Sequence, residues 1–234
     1  MTNGGSYKWR SALSLFGTPA RPRGFADETL WLGRSGWVSA NIRLPAKPSL
    51  VVLSVKSAPL ARWRAGPLPA DIGLIYLPFP ADPRGSMVIR KVLPRDIPVV
   101  FVGDLDPPSI VQYVATRSGL PAATRKRLCF GGVDSAWLER IQPALRRRFS
   151  FARIRIPLSA SEKRLLRRIE EATDLEALVG ASAAAMLRSG FKLELEGATN
   201  PSLFRDAGTP WVFDLLRAAA KRNPSAREGR RTTR

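Results

Sequence analysis

Apolar residues in this chain gather in short uninterrupted runs, separated by segments of helical period. Leu50–Val55, Ile72–Leu77, Pro98–Val102 and Leu128–Val133 are rich in β-branched and aromatic residues and bounded by turn formers. Such runs predict strands buried on both faces. The intervening pattern predicts helices over 58–65, 109–117, 136–145, 162–173 and 175–189, with further segments at 86–93 and 211–220. Ser159 or Ser161 is placed to cap the helix at 162, Asp174 the next one, and Gly190 stops it. Strand–helix–strand order implies a parallel sheet. Upstream, residues 29–32 and 37–42 flank Gly33-Arg34-Ser35-Gly36 and read as a small hairpin. Phe151–Leu158 alternates apolar and basic residues, which predicts a strand with one covered face; Phe191–Glu196 follows the last long helix.

The expected class is therefore α/β, a mostly parallel sheet flanked by helices and preceded by a small β hairpin. Its parts are a basic irregular arm over 1–28, the small β element over 29–48, the α/β domain over 49–220 and a basic disordered tail over 221–234. No apolar run approaches the ~20 residues that span a bilayer, and the N-terminal residues lack the charged-then-apolar order of a signal peptide. A single cysteine, Cys129, lies in an apolar run and reads as a buried, inert thiol. A cytoplasmic protein with no membrane contact is the expectation.

Charge narrows the field further. Thirty-eight basic residues against 19 acidic ones leave a net charge of +19, which favours a polyanionic partner, nucleic acid first. The runs Arg125-Lys126-Arg127 and Arg146-Arg147-Arg148 stand out, because three adjacent positive charges repel unless a polyanion or solvent receives them. There is no histidine, which removes histidine bases, catalytic triads and histidine metal sites together. No Walker-type or dinucleotide-binding glycine motif occurs. Chemistry carried by this chain must rest on carboxylates, lysines, tyrosines or a metal held by acids.

The candidate for such chemistry is Gly103-Asp104-Leu105-Asp106-Pro107-Pro108, directly after the apolar run ending at Val102. The prolines bar further ladder pairing, so both acids fall at the strand's carboxyl end, where open α/β sheets bind ligands. Paired carboxylates there hold Mg²⁺ in one reading; a turn and a helix cap are the other. Asp134 after the next strand is open to the same two readings. Glu194 and Glu196 either join the aspartates or form a solvated face beside Leu193 and Leu195. Tyr76 and Tyr113 read as core residues.

Taken in order, these motifs resemble the Toprim region of the A subunit of type IIB topoisomerases, of the related meiotic double-strand-break protein, and of Toprim subunits in bacterial SMC-type plasmid-defence complexes. Leu50–Lys56 resembles the first Toprim strand, and Pro80–Gly85 with Ile89-Arg90-Lys91 resembles the Gly/Pro loop and Arg-bearing helix. Asp104-Leu105-Asp106-Pro107 matches the Asp-x-Asp-Pro element, Leu158-Ser159 the Pro-Leu-Ser/Thr run, and Gly190–Glu196 the Gly-x-Lys-x-Glu ending. The likeness spans roughly 30–205. It implies Mg²⁺ at Asp104 and Asp106, catalytic roles for those two with Glu194 and Glu196, and phosphate contacts from Arg84, Arg90 and Lys91. It also implies double-stranded DNA as partner, with other protein subunits, and nuclease or topoisomerase-type cleavage. Two departures are plain. Where the family carries a glutamate at the end of the first strand, this chain reads Ser54-Val55-Lys56, which makes Lys56 a candidate phosphate contact. A tyrosine-bearing winged helix has no counterpart. The alternative expectation is a degenerate basic scaffold that binds DNA or RNA without chemistry.

Overall fold

The computed structural model describes residues 28–31, 37–65, 68–77, 89–90, 92–93, 96–204 and 210–222. The predicted arm up to residue 27 and the tail from 223 onward lie outside the described residues, as do Arg84 and Lys91.

Strand-forming residues at the centre of the chain are apolar on consecutive positions. That composition is stable only where both faces of a sheet are covered. β3 (Leu50–Ser54) and β5 (Val99–Val102) are buried at every position. β4 (Ile72–Tyr76) and β6 (Leu128–Phe130) flank them, and β3 pairs in parallel with both β4 and β5. β6 extends the parallel set beside β5. On the other edge β2 (Trp37–Arg43) runs antiparallel to β4, and β1 (Glu28–Trp31) antiparallel to β2. The six strands lie in the order β1-β2-β4-β3-β5-β6. The hairpin thus continues the main sheet, and the α/β class with a mostly parallel sheet is observed.

Alternate residues of a strand face opposite sides, and each side has its own cover. α1 (Ser57–Ala65) crosses from β3 to β4 and α10 (Pro210–Arg222) packs on β5 and β6, with Trp63 and Phe213 meeting edge to face at 5.9 Å. On the opposite face Phe101 and Phe130 contact Tyr113 of α2 (Pro107–Ser118), with ring centroids 5.7 and 5.5 Å apart. Tyr113 is therefore a core residue, as its pattern predicts.

Farther along the chain, α3 (Ala122–Arg127) is a short helix absent from the pattern reading, and α4 (Ser135–Ala144) follows β6. The expected strand over 151–158 is instead a one-turn helix, α5 (Phe151–Ile154), followed by the two-residue β7 (Ile156–Pro157). Alternation over four residues also suits a single helical turn, and Pro157 has no N–H to extend a ladder. β7 pairs with β8 (Phe191–Lys192). α6 (Ala160–Ala172) opens on a capping box, in which Ser159 and Glu162 exchange side-chain and backbone hydrogen bonds. The helix expected over 175–189 is two helices, α7 (Leu175–Val179) and α8 (Ala181–Arg188). Gly180 between them adopts φ 85°, a conformation that ends a helix and suits glycine. After β8 the chain forms the short α9 (Leu195–Ala198). The apolar segment expected over 211–220 is helical and runs on through Lys221 and Arg222 as α10.

Candidate functional site: a lysine-closed carboxylate cluster

Sheet order decides where a site forms. From β3 the chain goes outward on one side to β4, and from β5 it goes outward on the other side to β6. The connections therefore diverge between β3 and β5, and ligand crevices in open α/β sheets form at that switch point. Ser54 is in register with Val102, which brings the following residues, Val55-Lys56 and Gly103-Asp104, side by side past the strand ends. Ser54 fixes both chains there. Its hydroxyl donates to the Val102 carbonyl at 2.9 Å and accepts from the Lys56 backbone N–H at 3.0 Å.

Lys56 then turns its ammonium onto Asp104, with Nζ 2.7 Å from Oδ2. The Asp104 side chain is 5% exposed and that of Lys56 31%, so the pair is shielded mainly on the acid's side. The other carboxylate oxygen of Asp104, Oδ1, accepts the Leu195 backbone N–H at 2.8 Å. Leu105 and Leu193 form an antiparallel bridge, Leu105 N–H to Leu193 O at 2.9 Å and Leu193 N–H to Leu105 O at 3.3 Å. The end of β5 is thus stitched to the segment carrying Glu194 and Glu196.

Asp106 serves a different element. It is the N-cap of α2, extended at φ −146° and ψ 157°, and its Oδ1 accepts the Ser109 N–H at 2.8 Å. Ser109 Oγ in turn accepts the Asp104 backbone N–H at 3.2 Å. Burial raises the Asp106 pKa, and the neighbouring Asp104 charge adds to that, against the lowering effect of the Ser109 N–H and of Lys192. For Lys56 burial acts to lower the pKa, but the hydrogen bond and charge of Asp104, with Glu196 and Glu194, raise it on balance.

Glu196 Oε2 lies 3.6 Å from the Lys56 ammonium and is buried without a hydrogen-bond partner. Arg62 donates to the Glu196 carbonyl at 3.3 Å. Lys192 binds Glu162 at 2.7 Å while the charges of Asp106 and Glu194 raise its pKa further. The result is a mixed network: Asp104, Asp106, Glu162, Glu194 and Glu196 with Lys56 and Lys192. Sequence reading found the four acids of the diacid and ending motifs and named Lys56, but as a phosphate contact. It gave no site role to Glu162, whose local signal is the capping box at Ser159, or to Lys192, which stands in the Gly-x-Lys-x-Glu ending.

Such a donor set does not fit Mg²⁺. Both oxygens of Asp104 and one of Asp106 are engaged by an ammonium and two backbone N–H groups, whereas the ion takes near-octahedral oxygen ligands. Among the described residues, no group of three or more Asp, Glu, His or Cys side chains is arranged to hold a metal.

Asp134 resolves to the capping reading. It caps α4 through the Trp137 N–H at 3.1 Å and binds Arg222 at 2.9 Å. Its pKa is raised by burial, against the lowering effect of Arg222. The basic runs divide internally. Arg127 donates to the Ile97 carbonyl at 2.8 Å and Arg146 to the Phe204 carbonyl at 2.6 Å, so these two pin backbone. Arg90, Arg125, Lys126, Arg147 and Arg148 are exposed. Exposed Arg164, Arg167 and Arg168 line the outer face of α6, away from buried Leu166 and Ile169.

No protein-family model and no curated protein matches this chain. Among solved structures it is similar to an α/β hydrolase from Novosphingobium aromaticivorans DSM 12444, at 14% identity and a TM-score of 0.25, over 83% of this chain and 79% of the other. At that score the likeness transfers no residue and no activity. Among the described residues no helix is long and apolar enough to cross a membrane.

Proposed function

We propose that this chain is a nucleic-acid-binding module of Toprim-like design, a subunit of a larger DNA-processing assembly, whose carboxylate pair is neutralised by its own lysine and works without Mg²⁺. The observation that carries this reading is the Lys56 ammonium, 2.7 Å from Asp104 at the end of the first parallel strand, where the Toprim resemblance calls for a glutamate. A cation built into the chain does at Asp104 what a metal does elsewhere: it balances the charge and takes up one carboxylate oxygen. Strand order supports the likeness, since β3 and β5 are neighbours and the two motifs meet.

The positive balance supplies the partner. Five acids are drawn into the network around Lys56 and Lys192, while exposed arginines crowd α6 and the turn at 147–148. Phosphate contact of that kind is independent of sequence and requires no divalent metal. Fluorescence anisotropy with a labelled duplex, in EDTA and then in Mg²⁺, together with plasmid nicking, tests the proposal. Binding in EDTA that is weakened rather than strengthened by Mg²⁺, as the ion competes for the phosphates, with no nicking, is the expected result. Mg²⁺-dependent nicking that disappears in the Asp104→Asn/Asp106→Asn variant overturns the metal-free reading. Absence of binding to duplex and to single strand alike overturns the nucleic-acid reading.

A further inference from the structure

Between Glu139 and Glu162 the chain carries six arginines, Arg140, Arg146, Arg147, Arg148, Arg153 and Arg155, and no acid. The fold shapes this stretch into a groove. Leu145 bridges to Phe204, the Arg146 N–H donates to the Leu203 carbonyl at 2.9 Å, and Arg146 Nε donates to the Phe204 carbonyl at 2.6 Å. These bonds hold the turn at 147–148 against the 201–204 segment. Beside it lies a groove of about 520 Å³ lined by Arg148, Phe149, Arg153, Ile154 and Leu203. Its floor is apolar and aromatic. Its two charged members, Arg148 and Arg153, are exposed, and the Arg148 guanidinium stands 5.0 Å from the centre of the Phe149 ring. Among the described residues no carboxylate lines it.

We propose that this groove is a seat for single-stranded nucleic acid, with an unpaired base on Phe149, Ile154 and Leu203 and the flanking phosphates on Arg148 and Arg153. The proposal rests on the nucleic-acid reading above and adds to it a site and a ligand class. Charge complementarity selects a polyanion. An apolar floor under paired arginines then selects among polyanions, because a duplex keeps its bases stacked inside and offers only its backbone. An unpaired strand offers both phosphate and a π-face, and aromatic rings with arginines are the usual receivers of that pair.

The test uses the full chain and two fluorescent probes at one salt concentration, an oligothymidylate and a blunt duplex, read by anisotropy. Arg148→Gln/Arg153→Gln changes two exposed side chains and leaves the Arg146 pins intact. It is expected to weaken oligothymidylate binding at least tenfold and to flatten the slope of log affinity against log salt by about 1.4, that is, about 0.7 per phosphate contact on a single strand. Phe149→Ala is expected to weaken oligothymidylate binding about tenfold through lost stacking, with duplex binding unchanged. Oligothymidylate affinity unmoved by the arginine variant overturns the groove assignment while wild-type binding keeps the broader reading. Equal losses for both probes in Phe149→Ala also overturn it, in favour of a backbone-only contact. Wild type binding neither probe overturns both readings together.

Discussion

Lys56→Ala leaves the Asp104 carboxylate shielded from water without its counter-ion, and the remaining Leu195 N–H cannot balance a full charge. Breaking a fully buried pair costs about 3–5 kcal/mol; with Lys56 partly exposed to solvent, a loss of about 2 kcal/mol is expected here, read from urea midpoints. The same pair has a pH signature. The folded pKa of Lys56 lies above its ordinary value, so its contribution is complete below the unfolded pKa and fades as pH rises through the higher folded one. The stability gap between wild type and Lys56→Ala should therefore stay flat from neutral to about pH 10 and close only above that. A gap that already narrows between pH 7 and 9 would mean that Lys56 contributes through another group. Cys129 offers a second check at this scale. Its thiol donates to the Val99 carbonyl at 3.6 Å, and burial pushes its pKa up to about 12. Alkylation by iodoacetamide at pH 8 should be slow in the folded protein and fast in denaturant, because only the thiolate reacts.

At the scale of elements, the corner between α7 and α8 is held by one residue. Gly180 takes φ 85°, and a Cβ there would come within 2.4 Å of Ser135 Oγ, the atom that accepts the Ala183 N–H and caps α8 from the neighbouring α4. Gly180→Ala combines left-handed strain with a clash at that cap, and a loss of about 2–3 kcal/mol is expected, measured as a drop in thermal midpoint. Pattern reading joined these two helices because the apolar period runs on through the break; the glycine is visible in the chain, but its φ is not. The stretch 151–158 misled for a related reason. Its alternation is genuine, yet whether it becomes a strand depends on a partner. The partner supplied, β8, is only two residues long. By contrast the runs at 50–54 and 99–102 are legible from sequence, since only a strand covered on both faces accommodates unbroken Val, Leu and Phe.

Across the whole molecule, charge is unevenly placed. Among the described residues, five carboxylates gather around Lys56 and Lys192, while exposed arginines stand on α6, beside Glu170 and Glu171, and at the 147–148 turn. On the nucleic-acid proposal, such a surface would hold a duplex by releasing counter-ions. Log affinity should fall linearly with log salt, with a loss of about 10³-fold or more between 50 and 200 mM if six or more phosphates are engaged. A flat response would place the binding energy in something other than charge.

The chain by itself determines the α/β class, the buried central strands, the position of Asp104 and Asp106 past a strand end, and the positive balance, because these follow from composition and from periods of two and 3.6. Only the tertiary structure decides what the acids meet. That Lys56 rather than a metal ligand closes on Asp104 depends on β3 lying beside β5, and that Glu196 and Leu195 reach the same place depends on the bridge between Leu105 and Leu193. Contacts between residues so far apart in sequence carry no local pattern. The same holds for Arg127 and Arg146, which look like their neighbours in the chain until backbone carbonyls from distant segments engage them.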